Sequence, residues 1–176
     1  SCGNSTLGVR LTAIDPGLVG GFCYAQNGNF IGDDFTDAST ALGSTLTMRG
    51  KEIADDGDVA SPNLGFTMDT GGLTGTWSVA SSLWTTYNRV FLAFHFGNGG
   101  DTTLTNPDSF VLELLRPTVG GDWRFYSNDV NAKLNGLSNI YVLSEGVCTT
   151  GCGTTDNQVP EPGSLALVGL ALAAAG

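Results

Sequence analysis

Turn signals recur along this chain at intervals too short for long helices. They include Asp15-Pro16-Gly17, Asn27-Gly28, Asp56-Gly57, Gly71-Gly72, Asn98-Gly99-Gly100, Asn106-Pro107-Asp108, Gly120-Gly121 and Asn135-Gly136. Glycine tolerates positive φ, proline removes a donor, and Asn and Asp bond their own backbone, so each cluster interrupts a regular element. Between the breaks lie short runs of Val, Ile, Thr, Phe, Trp and Tyr, residues that suit a pleated, half-buried surface. Short strands between frequent turns build antiparallel sandwiches or barrels. The expected fold is mainly β, an antiparallel β-sandwich with a jelly-roll-like arrangement.

Val90-Phe91-Leu92-Ala93-Phe94-His95-Phe96 is apolar on both faces and reads as a strand in the middle of a sheet, covered on each side. Thr74-Gly75-Thr76-Trp77-Ser78-Val79 alternates, with Trp77 and Val79 on one face and hydroxyls on the other. Phe110 to Leu115, Trp123 to Tyr126 and Asn139 to Leu143 complete the core strands. Asn27-Gly28, between Phe22-Cys23-Tyr24 and Phe30-Ile31, predicts a hairpin. Ser39 to Leu46 and Asn128 to Leu134 are the candidate helices in the body.

Charged residues make up only 14% of the 176-residue chain, against roughly 25% in an average soluble protein. Seven Lys and Arg stand against 17 Asp and Glu, a formal charge of −10 with no basic run. The electrostatic attraction that nucleic-acid or anionic-membrane binding requires is absent. No nucleic-acid partner is expected.

Four cysteines permit three pairings. Cys2 with Cys23 and Cys148 with Cys152 are the expected disulfides, since each pair brackets a short turn-rich segment. Cys148-Thr-Thr-Gly-Cys152 has the spacing of half a zinc site, but a second half is missing, and His95 is the chain's one histidine. Disulfides place the chain in an oxidising compartment. The sequence opens at Ser1-Cys2 without a basic-plus-apolar leader. For an exported protein the expectation is that the leader has been removed.

No catalytic constellation emerges. His95 lies in an aromatic strand with no G-x-S-x-G elbow in the sequence, and it reads as structural. Most carboxylates fall in turns and read as solvated loop acids rather than a glycosidase pair. Asp55-Asp56-Gly57-Asp58 resembles part of a calcium loop, with Asp55, Asp56 and Asp58 as candidate ligands, but the full pattern and its terminal Glu are absent. No cofactor is expected. Trp77, Trp84 and Trp123 read mainly as core, with Trp84 near a turn as the best candidate to stack on a sugar ring.

The chain divides into a sandwich domain over 1–146, a polar Gly/Thr-rich connector over 147–158 and a tail over 159–176. In the tail, Pro160 and Pro162 flank Glu161 and hold the segment extended. Ser164 caps a short apolar helix beginning at Leu165. Its 12 residues reach about 18 Å, short of the roughly 30 Å hydrocarbon core of a membrane.

Val159-Pro160-Glu161-Pro162-Gly163-Ser164-Leu165-Ala166-Leu167 resembles the PEP-CTERM sorting tail of Gram-negative bacteria. In that family Pro-Glu-Pro precedes an apolar helix and an Arg cluster, and an exosortase recognises and processes the tail during export. This sequence departs from the pattern in ending at Gly176 before any Arg cluster. The body is similar to β-sandwich proteins that carry such tails, through Gly75-Thr76-Trp77-Ser78, Arg89-Val90-Phe91-Leu92 leading to Gly97-Asn98-Gly99, Gly121-Asp122-Trp123 and Leu137-Ser138-Asn139-Ile140. The resemblance implies an exosortase partner, a place at the cell surface or outside the cell, and a role in biofilm, floc or exopolysaccharide matrix.

The function expected is a non-catalytic structural protein. Copies of the chain would assemble into a filament through Leu165, Leu167, Val168, Gly169, Leu170, Leu172 and Ala173. Gly169 and Ala173 form a small-x-x-x-small pair that permits close helix approach. The alternative is a module that binds exopolysaccharide through exposed aromatics.

Overall fold

The computed structural model describes residues 2–3, 12–15, 19–54, 61–97, 107–128, 134–150 and 152. Among the described residues ten strands carry the fold: β1 Cys2–Gly3, β2 Thr12–Asp15, β3 Val19–Gln26, β4 Thr47–Ile53, β5 Leu64–Met68, β6 Thr74–Val79, β7 Tyr87–Phe96, β8 Ser109–Leu114, β9 Gly120–Ser127 and β10 Leu137–Val147. Two short α-helices among the described residues join them, α1 Thr36–Leu42 and α2 Ser82–Thr86. The strands form two five-stranded sheets, ordered β1-β2-β9-β6-β5 and β3-β8-β7-β10-β4. All their ladders are antiparallel. The jelly-roll expectation of two Greek keys over eight strands meets a different order, in which the last strand returns to lie between β7 and β4.

The apolar run Val90 to Phe96 became the centre of the second sheet because both of its faces found cover. Val90, Leu92, Phe94 and Phe96 point between the sheets, where they meet Ile14, Trp77, Trp123 and Phe125 from the first sheet. Phe96 stacks on Phe125 at 3.8 Å between ring centroids and lies 5.8 Å from Trp123. Phe91 and Ala93 point the other way, into a second cluster with Val111, Tyr141, Leu143, Phe30, Phe35 and Ala38 of α1. Each large apolar side chain buried this way contributes roughly 1.5–3 kcal/mol.

β6 alternates as its sequence predicts, with Trp77 and Val79 buried and Thr74, Thr76 and Ser78 exposed. Gly75 has a specific reason to be glycine: a Cβ there would sit 1.8 Å from the Thr67 carbonyl oxygen of β5. That bare spot lets the Trp123 indole N–H reach across to the same carbonyl at 3.2 Å.

The hairpin at Asn27-Gly28 does not form. β3 pairs with β8 rather than with the residues that follow it, and Ile31–Asp33 is a 3-10 turn. Burial of Phe30 in the outer cluster outweighs the local turn signal. Gly28, at φ 80°, is tied to β8 instead, its N–H donating to Asp108 Oδ1 at 2.7 Å and its carbonyl accepting from Ser109 Oγ at 2.7 Å.

The candidate helix at Ser39 to Leu46 forms earlier, as α1, and stops at Gly43, whose left-handed φ of 61° ends it in the usual way. Most of the second candidate helix, Asn128 to Leu134, lies outside the described residues, as does the apolar tail.

Candidate functional site

The outer face of the second sheet carries three bands. An apolar middle of Phe91, Ala93, Val111, Tyr141 and Leu143 is roofed by α1 and by Phe30 and Phe35. Polar groups stand at either end, and strand register sets both sets.

At one end, Ser109, His95 and Asn139 lie side by side on β8, β7 and β10. All three are buried, with Asp108 beside them. Ser109 is occupied by the Gly28 carbonyl, whereas neither ring nitrogen of His95 has a hydrogen-bond partner among the described residues. Burial pushes the His95 pKa below its ordinary value and that of Asp108 above its own. A Ser, a His and an Asp thus gather here, but the serine hydroxyl is spent on a backbone carbonyl and the row is closed to solvent. It reads as packing.

Burial disfavours the charged imidazolium of His95, so protonating it in the fold costs stability. Its depressed pKa means that the unfolded chain takes up the proton first. Stability falls as pH drops through the ordinary histidine value of about 6.5, and the loss levels off below the folded pKa. Asp108 has the opposite sign: its raised pKa adds stability as pH falls through the range just above an ordinary carboxylate. Melting temperatures between about pH 7.5 and 5 should decline for the parent chain and decline less for His95→Gln. Parallel curves for the two proteins would contradict this account.

At the other end, Arg89 of β7 forks onto Glu113 of β8, with Nε to Oε1 at 2.7 Å and Nη2 to Oε2 at 2.9 Å. Its Nη1 donates to Glu145 of β10 at 2.8 Å and to Ser44 Oγ. The guanidinium also lies over Phe91, and Phe22 borders it from β3. The Glu113 hydrogen bonds foremost hold Arg89 firmly charged.

Of the clefts among the described residues, two bear on the reading of the surface. The larger, about 650 Å³, runs between α1 and the start of β4, with Thr36, Ser39, Thr40, Thr45, Thr47 and Glu145 among its walls. Its carboxylates are engaged: Asp33 pairs with Lys51 at 2.7 Å, Asp34 accepts from Thr36, and Glu145 from Arg89. The smaller, about 370 Å³, lies beside α2 against Trp84, Pro117 and Val119.

Trp84 is not the exposed sugar platform that the sequence suggested. It is buried, and its indole N–H donates to the Thr118 carbonyl at 2.7 Å. The hydroxyl-rich Ser82-Leu83-Trp84-Thr85-Thr86 reads as a turn, but it winds into α2 and turns Leu83 and Trp84 inward. Trp77 and Trp123 are buried as well.

Cys2 lies within disulfide-bonding distance of Cys23 and Cys148 of Cys152, each pair with Cα atoms 5.8 Å apart. Non-reducing peptide mapping should recover 2–23 and 148–152 links, and free thiols would contradict that pairing. Asp55, Asp56 and Asp58, the sorting motif Val159 to Pro162 and the apolar residues from Leu165 onward lie outside the described residues. Among the described residues there is no cluster of metal-ligating side chains. No helix there is long and apolar enough to cross a membrane. Sequence reasoning missed the Arg89 network and the smaller cleft, both assembled from distant segments.

A family model described as the PEP-CTERM protein-sorting motif matches residues 158–176. No curated protein and no solved structure matches the chain. The motif marks proteins exported to the cell surface or extracellular space and implies processing by an exosortase. The chain is an exported, surface-associated protein.

Proposed function

We propose that this exosortase substrate is a non-catalytic structural protein of the bacterial surface or extracellular matrix. Its copies assemble into a filament through the apolar tail. The carrying observation is the sorting motif at residues 158–176, which contains the uncharged run Leu165 to Gly176. Such a run is costly in water, since burying each Leu or Val is worth roughly 1.5–3 kcal/mol. A protruding apolar element that fits a neighbour makes a heterologous contact, and heterologous contacts propagate unless they close into rings.

The sandwich supports the non-catalytic part of this reading. Its one histidine is buried, its three tryptophans are in the core, and the acids of its larger cleft are engaged by Lys51, Thr36 and Arg89. Exopolysaccharide binding through stacked tryptophans would need faces that these residues do not offer. Electron microscopy of the native protein isolated from the cell surface should show filaments. Material that is monomeric at all concentrations would contradict the proposal.

A further inference from the structure

The two cysteine pairs have opposite surroundings. Cys2 of β1 and Cys23 of β3 join the two sheets at their edges, across a sequence separation of 21. Cys2 is buried in the core cluster between the sheets, and its Sγ lies 3.6 Å from the Tyr24 carbonyl. A thiolate expelled there would enter apolar surroundings and face a carbonyl oxygen. Both raise its pKa and make it a poor leaving group.

Cys148 and Cys152 stand only 4 positions apart, just beyond β10. Both are half-buried, and Thr149 and Thr150 between them are exposed. The Cys148 N–H donates to the Thr86 carbonyl at 2.8 Å, which holds Cys148 against the end of α2. Arg116, just after β8, is fixed by donating to the carbonyls of Trp84 and Asn88 and places Nη2 3.8 Å from Cys148 Sγ. An opposite charge within about 4–6 Å favours the ionised form of a titrating group, here the thiolate. The Thr150 carbonyl, 3.5 Å from the same sulfur, lies within the ring and is free to turn away once the ring opens. Cross-linking stabilises less as the closed loop shortens, so opening this ring takes little from the sandwich.

We propose that Cys148–Cys152 is a thiol–disulfide exchange site for an external dithiol, with Cys152 as the sulfur attacked and Cys148 as the leaving sulfur. The incoming thiolate bonds to Cys152 Sγ, and the electron pair of the S–S bond departs on Cys148 Sγ beside Arg116. The second thiolate of the dithiol then attacks the reductant's own sulfur in the mixed disulfide and expels Cys152. Two electrons pass to the cysteine pair, and the dithiol leaves as its disulfide. Of the two protons that the dithiol gives up, Cys152 takes one and Cys148 or the solvent takes the other. Cys148 keeps its bond to Thr86, so exchange frees Cys152 from that anchor.

The test uses the full chain, isolated oxidised. Limiting dithiothreitol, followed by alkylation and peptide mapping, should open Cys148–Cys152 at least about tenfold faster than Cys2–Cys23. The near-ultraviolet circular dichroism of the partly reduced protein should match that of the parent. Mercaptoethanol, quenched with acid, should leave its adduct on Cys152 and a free thiol on Cys148. Arg116→Gln should slow the opening of Cys148–Cys152 about threefold or more, and high salt should bring the parent towards the rate of the variant. The adduct map needs no variant and decides the matter if Arg116→Gln does not fold. Comparable rates for the two links, an adduct on Cys148, or a folded Arg116→Gln that reacts as the parent does would overturn the inference.

Discussion

Phe96→Ala is expected to lower the unfolding free energy by about 3–5 kcal/mol, the range for deleting a large aromatic from a packed core. The ring stacks on Phe125 and meets Trp123 and Phe110 at 5.8 and 6.2 Å, so it joins the two sheets through an aromatic cluster. Aromatic neighbours set at these angles cannot collapse into the vacated space without leaving their own contacts, which places the cost towards the upper end. A domain of this size has about 5–15 kcal/mol in total, so much of the margin would go. Phe22→Ala, at an exposed position of β3, should change stability by less than about 0.5 kcal/mol. Urea denaturation compares the two directly. Similar midpoints for both variants would contradict the placement of the core.

Arg89→Met should cost about 2 kcal/mol, less than the roughly 3–5 kcal/mol of a fully buried pair, because Arg89, Glu145 and Glu113 keep 27%, 26% and 15% of their side-chain surface exposed. The loss comes mainly from what remains behind. Glu113 of β8 and Glu145 of β10 stay on the same face, on either side of β7, with the Ser44 hydroxyl on Glu145, after the guanidinium between them has gone. Adding Glu113→Gln and Glu145→Gln to Arg89→Met should therefore recover most of the loss, and a cycle of denaturation midpoints reads the coupling. A triple variant no more stable than the single one would mean that Arg89 acts through packing over Phe91 instead.

The central strands were legible because their chemistry is local. Val90 to Phe96 is apolar on both faces, and Thr74 to Val79 alternates. The edge strand β4 was not seen, because Thr47-Met48-Arg49-Gly50-Lys51-Glu52-Ile53 has the charges that edges carry to discourage further pairing. At Asn27-Gly28 the local signal was real but its partner was not local, since Asp108 and Ser109 claim the turn from 80 and 81 residues away. The buried row of Ser109, His95 and Asn139 exists only through the register of three strands. Arg89 meets Glu113 and Glu145 across separations of 24 and 56 residues, which no spacing rule anticipates. The sorting motif was legible for the opposite reason, being a contiguous string read by an enzyme rather than a product of folding.

The most direct measurement is sedimentation of the native chain beside one truncated before Leu165, with circular dichroism to show that both are folded. A polymer is expected for the full chain and a soluble, folded monomer for the truncated one. A truncated chain that polymerised as the full chain does would contradict it.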